Sequence, residues 1–265
     1  MKKFCPKRCC LAACMILTFF LLCTSFISAL SAQENGEKIR VLFISGGHPF
    51  NEEELDAFMN SFPELEITKA VMPAARDLLK PGLESSCDVV LFYDMDNSPV
   101  SEEQKSNYVA LLNSGIGVFA WHHHLCSNQN WEEYYDLAGG RTFLAPTADY
   151  RGKEYPASVF ACCQPIKLHV EKPDHPVTKG ISDFTITDEI YGKLLIHPDA
   201  EVLLTSDHEL QNHITAWIWH YGKSTIVANL LGHDSVAWNQ PEFKQMFIQT
   251  LRFLADEKAK TTESR

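Results

Sequence analysis

From residue 39 to residue 121 the chain repeats one pattern: a short apolar run, a polar turn, then a capped amphipathic stretch. A continuous β-branched run predicts a strand buried on both faces, and strands alternating with helices predict βαβ units in a parallel sheet. Residues 39–45 (IRVLFIS) form the first such run and end in Gly46-Gly47. Asn51 predicts a helix cap, followed by Glu52, Glu53 and Glu54 where the helix dipole favours acids, and by the stripe Leu55, Phe58, Met59 and Phe62. Residues 65–71 give a second strand and 74–79 a short helix stopped by Pro81-Gly82. Residues 88–93 give a third strand, Ser101 caps a helix carrying Tyr108, Leu111 and Leu112, and Gly115 ends it before the fourth strand at 116–121. Crossovers in such a sheet are right-handed, with helices on both faces.

The second half is richer in strands, at 167–170, 184–187, 202–205, 214–219 and 224–230, before a last helix over about 241–254. The expected fold class is therefore α/β: a doubly wound, flavodoxin-like, mostly parallel sheet with a β-rich second half, in one domain over 32–256. Residues 257–265 read as a disordered tail.

The first 31 residues read as a leader. Lys2, Lys3, Lys7 and Arg8 precede an apolar run over 11–30, and Ala29-Leu30-Ser31 offers a cleavage site. An uncleaved anchor is the alternative, because the run is long enough to span a bilayer. The expectation is a secreted or periplasmic protein that leaves the membrane after cleavage. Loss of the leader removes four positive charges and takes the formal charge from −11 to −15. A surface this negative repels phosphate backbones and anionic lipid, so nucleic acid is excluded as a partner and a neutral sugar or a cation fits better. Beyond the leader the cysteines are Cys87, Cys126, Cys162 and Cys163, in no CxxC or disulfide framework. Adjacent Cys162 and Cys163 on a regular strand would face opposite sides, at least one of them as a small buried hydrophobe.

In an open parallel sheet, ligands bind beyond the carboxyl ends of the strands. The residues just past those ends are Gly46-Gly47-His48, Asp94, His122-His123-His124 and Gly232-His233-Asp234. Histidine at three such places, out of 11 in the chain, predicts a shared cavity. Strand alternation lets at most two of the three tandem histidines face it. Asp234 beside His233 is the pairing a catalytic or ligating histidine needs. Asp188 and Glu189, ahead of Tyr191, suit acid–base work or sugar hydroxyls. Trp217 and Trp219 read as core, whereas Trp238, in the loop after His233, offers a flat face to a sugar. The catalytic set is thus His122, His123, Asp188, Glu189, His233 and Asp234, with His48, Asp94, Tyr191 and Trp238 binding substrate. The residues fix no particular cofactor; a divalent metal such as zinc is the candidate, because His48, His122 and His233 with a carboxylate would make a zinc-type set with an open position.

Several stretches are similar to the ThuA-like (trehalose utilisation) family: GVFAWHHHLCSNQNWEEYYDLAGGRTF (117–143), PDHPVTKGISDFTITDEIYG (173–192) and YGKSTIVANLLGHDSVAWNQPEF (221–243), with ISGGH at the first strand end. The resemblance implies a class I glutamine amidotransferase-like fold and a role in breakdown of trehalose and related glycosides, often as 3-keto sugars made by a partner dehydrogenase. It implies a site of His48, His122, His123, Asp188, Glu189, Tyr191, His233 and Asp234. Where the pattern has a small residue after the histidine pair, this chain has His124. Amidotransferases of this fold carry a cysteine nucleophile at the turn occupied here by Trp121-His122-His123, so glutamine hydrolysis is not expected. Two functions compete: an enzyme on a glycoside (hydrolase, lyase or isomerase), and a non-catalytic sugar-binding protein of an uptake system that would tolerate loss of the histidines. Self-association is open.

Overall fold

A computed structural model describes residues 38–263 and Met1. The leader at 1–31 lies outside the described residues. The elements are β1 (Ile39–Gly46), α1 (Glu52–Asn60), β2 (Leu65–Val71), β3 (Val89–Asp94), α2 (Glu102–Leu112), β4 (Gly117–Trp121), α3 (Tyr134–Ala138), β5 (Gly140–Arg141), β6 (Thr147–Tyr150), β7 (Lys153–Tyr155), β8 (Val159–Val170), β9 (Phe184–Gly192), β10 (Leu195–Ile196), β11 (Glu201–Ser206), β12 (Ile214–Tyr221), β13 (Ser224–Asn229), α4 (Ser235–Trp238) and α5 (Pro241–Glu263). Nine strands form one sheet in the order β2-β1-β3-β4-β13-β12-β11-β8-β9. Pairings from β2 to β13 are parallel and those from β13 to β9 antiparallel. The parallel half matches the alternation read from the sequence.

Local chemistry sets the parallel half. Asn51 accepts the Glu54 N–H to cap α1, and Ser101 with Gln104 forms a reciprocal capping box on α2. Every residue of β3, β4 and β13 is buried, as expected for strands covered on both faces. One face packs on α1 and α5, where Phe58, Trp121, Trp238, Phe243 and Phe247 meet. The other packs on α2 and α3 through Tyr108, Leu111, Leu112, Tyr134 and Leu137. Each such side chain contributes about 1.5–3 kcal/mol by leaving water.

Three expectations change. The last helix continues to Glu263 rather than fraying after Leu254. Lys258 explains this: its Nζ donates to the Asp88 carboxylate (2.7 Å) and the Cys87 carbonyl (2.9 Å), tying the last turns to the sheet. Strands β8 and β9 are much longer than expected, so Asp188 and Glu189 lie within a strand and not at its end. Only Leu168, His169 and Val170 of β8 pair with β11, and the rest of β8–β9 is a two-stranded ribbon. Finally, Cys162 and Cys163 are both exposed and joined in a disulfide. The ladder passes from Ala161↔Ile190 to Gln164↔Asp188, so the two cysteines stand against Glu189 alone in a β-bulge. Cys163 has φ 63°, which removes the strict alternation that would have buried one of them.

Candidate functional site

The carboxyl end of β1 is a tight glycine turn. A Cβ on Gly47 (φ 75°) would lie 2.3 Å from the Met95 carbonyl oxygen, so only glycine lets the chain pass and deliver His48. After β4 the chain enters a 3₁₀ turn, His122–Cys126, at a strained residue: His122 has φ 54°. After β13, Gly232 (φ 107°) passes where a Cβ would lie 2.3 Å from Trp121 Nε1, and His233 follows.

Glu189 arrives from the far edge of the sheet. The β8–β9 ribbon folds over the strand ends and is fastened there by Asp188. The buried Asp188 carboxylate accepts the backbone N–H of Gly232 (2.6 Å), His233 (3.0 Å) and Glu189 (2.8 Å). Burial pushes the Asp188 carboxyl up, while His122 and these three donors pull it down. The backbone carbonyls of Gly232 and His233 in turn accept the Tyr93 hydroxyl at 3.1 and 2.9 Å.

At the centre, His122 Nε2, His233 Nδ1 and a Glu189 carboxylate oxygen form a triangle. Its edges are 3.1 Å between the two imidazole nitrogens and 3.3 Å from each to Oε2. His122 Nδ1 lies 2.7 Å from the Leu230 carbonyl oxygen. A carbonyl only accepts, so Nδ1 carries the proton, and in the neutral ring Nε2 presents a lone pair to the triangle. Burial opposes charge on Glu189, but the neighbouring His122 and His233 imidazoles outweigh it and hold its carboxyl well below the usual range. The hydrogen bond to Glu189 raises His233 against burial. Tyr191 completes this wall, its hydroxyl 3.5 Å from His122 Nε2.

His48 and His123 stand beside the triangle. Their ring centroids are 4.6 Å apart, and His48 lies 6.3 Å from His233. His123 is 2% exposed and rests on Tyr93 at 4.2 Å, yet neither of its ring nitrogens has a hydrogen-bond partner among the described residues. His48 Nδ1 is likewise buried and unpartnered among them. Burial lowers His48, helped by the charges of His233 and His122, and lowers His123 much further. Both are neutral imidazoles at pH 7, with nitrogens whose natural partners would be a ligand's polar atoms.

The structure therefore gathers His48, His122, His123, Glu189, Tyr191 and His233 in one place. Asp188 is next to them, as the ribbon's anchor and not as a reacting group. Three expected residues lie elsewhere. Asp94 is on the opposite face, where its carboxylate pairs with His124 Nδ1 at 2.6 Å and accepts the Ser127 hydroxyl at 2.9 Å; His124 is stacked on Phe92. Asp234 caps α4 through the N–H groups of Val236 and Ala237, instead of orienting His233. Trp238 is core, 1% exposed, its indole N–H donating to the Gly232 carbonyl at 2.8 Å, so no face is left for a sugar. Cys126 is buried and its thiol is pushed up to about 12 by burial, which keeps it inert. Sequence reasoning missed Tyr93, whose only signal was its place at a strand end, and Phe160, whose ring meets Tyr191 edge-on at 5.0 Å.

His122, Glu189 and His233 could hold a metal ion. A tetrahedral ion with bonds of about 2.0–2.1 Å sets its donors about 3.3–3.4 Å apart, close to the edges of the triangle. His122 also has the second-sphere carbonyl that such ligands use.

Comparison with known proteins agrees with this architecture. A family model described as ThuA, trehalose utilisation, matches residues 40–254. A ThuA-like protein structure from Parabacteroides merdae superposes with TM-score 0.67 at 16% identity, over 82% of this chain and 90% of that one. Another from Bacteroides uniformis gives 0.61 at 15%, over 84% and 94%. A GH42 β-galactosidase from G. stearothermophilus gives 0.51 at 12%, over 82% of this chain but 30% of the enzyme. At these identities the structures share a fold with this chain. No curated protein matches it.

Proposed function

Because the chain belongs to the ThuA (trehalose utilisation) family, we propose that it is an exported enzyme of glycoside breakdown, with trehalose-type disaccharides and their 3-keto derivatives as substrate class and a divalent, zinc-type ion held by His122, His233 and Glu189. The observation that carries the proposal is the near-equilateral triangle of those three donors beside the unpartnered nitrogens of His48 and His123.

An ion there would supply a Lewis acid for a sugar carbonyl or hydroxyl oxygen. The remaining chemistry belongs to the chain. A ketone at sugar C3 acidifies the C2–H. Neutral His123 or His48 takes that proton, and the electron pair forms the C1–C2 double bond as the C1–O glycosidic bond breaks. The departing oxygen takes up a proton, for which the Tyr191 hydroxyl beside His122 is the donor. Asp188 and the Leu230 carbonyl hold the ligating groups in place.

Two measurements test this. Elemental analysis of protein purified without added metal or chelator is expected to find about one equivalent of metal, falling below about a tenth in His122→Ala and Glu189→Gln. Incubation with trehalose and 3-ketotrehalose, followed by mass spectrometry, is expected to show cleaved product in the wild type and none in those variants. Full activity of both variants would refute the assignment. Sugar binding with no product under any condition would instead favour a binding protein.

A further inference from the structure

Among the described residues of β8 and β9, Phe160 is the one large apolar side chain that is exposed, at 38%. It lies opposite Tyr191 in the ladder and touches that ring edge-on, and Tyr191 reaches the His122 imidazole. Two residues further along β8, the exposed Cys162–Cys163 disulfide closes a rigid ring opposite Glu189. An aromatic face and a pair of polarisable sulfurs thus sit on one short segment at the rim of the polar centre. Neither contributes to the cores on the two faces of the sheet.

We propose that Phe160 and the Cys162–Cys163 disulfide form a platform for the second sugar ring of a disaccharide, while the first ring occupies the histidine centre. A pyranose presents polar hydroxyl edges and an apolar C–H face. The centre offers partners for the edges, and the platform offers a dry surface for the face. The bulge sets both cysteines against Glu189, whose carboxylate is a corner of the triangle, and so brings the disulfide next to the centre. The inference rests on the sugar-centred part of the function proposed above.

The test is calorimetric titration of trehalose and of glucose into the purified wild type, Phe160→Ala, Phe160→Trp and the double variant Cys162→Ser/Cys163→Ser. Stacking of this kind is worth about a three- to tenfold change in Kd. Trehalose is expected to weaken by that factor in Phe160→Ala and in the double serine variant, and to hold or tighten in Phe160→Trp. Glucose binding, confined to the inner position, stays unchanged throughout. Trehalose affinity indifferent to all three variants, equal weakening of glucose, or no trehalose binding to the wild type overturns the platform. Phe160-dependent trehalose binding in a protein found to lack both metal and turnover sustains the platform and sinks the catalytic reading; turnover lost in His122→Ala with Phe160 irrelevant does the reverse.

Discussion

Asp188 is where fold and site depend on each other most directly, and Asp188→Ala measures that dependence. The carboxylate is buried and accepts backbone N–H groups from Gly232 and His233, more than 40 residues away in the chain, and from its neighbour Glu189. Alanine leaves the two distant donors buried without partners. At about 1–3 kcal/mol for each unsatisfied donor, less what local relaxation and entering water recover, the expected loss is about 3 kcal/mol. For a domain of this size that lowers Tm by roughly 6–12 °C. Asp188→Asn keeps one accepting oxygen and is expected to recover about half the loss. Urea unfolding monitored by tryptophan fluorescence gives the global figure. Hydrogen exchange at Gly232 and His233 shows whether protection is lost there first, and metal content is expected to fall with it. A Tm within about 1 °C of the wild type, with Gly232 and His233 still protected, refutes the argument that this carboxylate fastens the ribbon.

His123→Phe keeps a ring in contact with Tyr93 and removes two buried unpartnered nitrogens, so stability is expected to hold or rise while turnover is lost; a clear drop in Tm counts against the assignment. Burial lowers the folded-state pKa of His123 well below its unfolded value, so the unfolded chain binds the extra proton first and this residue costs stability as pH falls below about 6.5. Urea midpoints at pH 7 and pH 5 are expected to differ less in His123→Phe than in the wild type, and an equal difference refutes the neutral assignment. Trp238→Ala is expected to cost about 3–5 kcal/mol through a core cavity, whereas milder Trp238→Phe leaves KM for the sugar unchanged; a raised KM in the latter would restore Trp238 to the binding surface.

The parallel half of the fold was legible because its signals are local. Caps at Asn51 and Ser101, apolar runs and the Gly46-Gly47 turn each act within a few residues. The gathering of His48, His122, His123 and His233 followed from one topological rule, that parallel strands end on the same side. Glu189 was recognisable as a residue type, but its route to the site was not: it depends on a ribbon that leaves the sheet and on a bulge created by φ 63° at Cys163. The roles of Asp94, Asp234 and Trp238 were misread for a common reason. Position just after a strand does not say which face a side chain takes, and in each case a nearer partner claimed it: His124, the first turn of α4, and the aromatic core around Phe58 and Trp121. The final turns of α5 carry no apolar stripe; their order comes from Lys258 reaching Asp88, which periodicity cannot reveal.

Only three residues of β8 pair the ribbon with β11; its site end is held instead by Asp188 to Gly232 and His233 and by the Tyr191 backbone to Gln211 and Asn212. Loss of those few ties would free the site end of the ribbon while the parallel strands stay paired. Such a partial opening would separate Glu189 from His122 and His233 without unfolding the domain. By the same logic, changes in ribbon length or bulge position would alter what fits over an unchanged set of histidines.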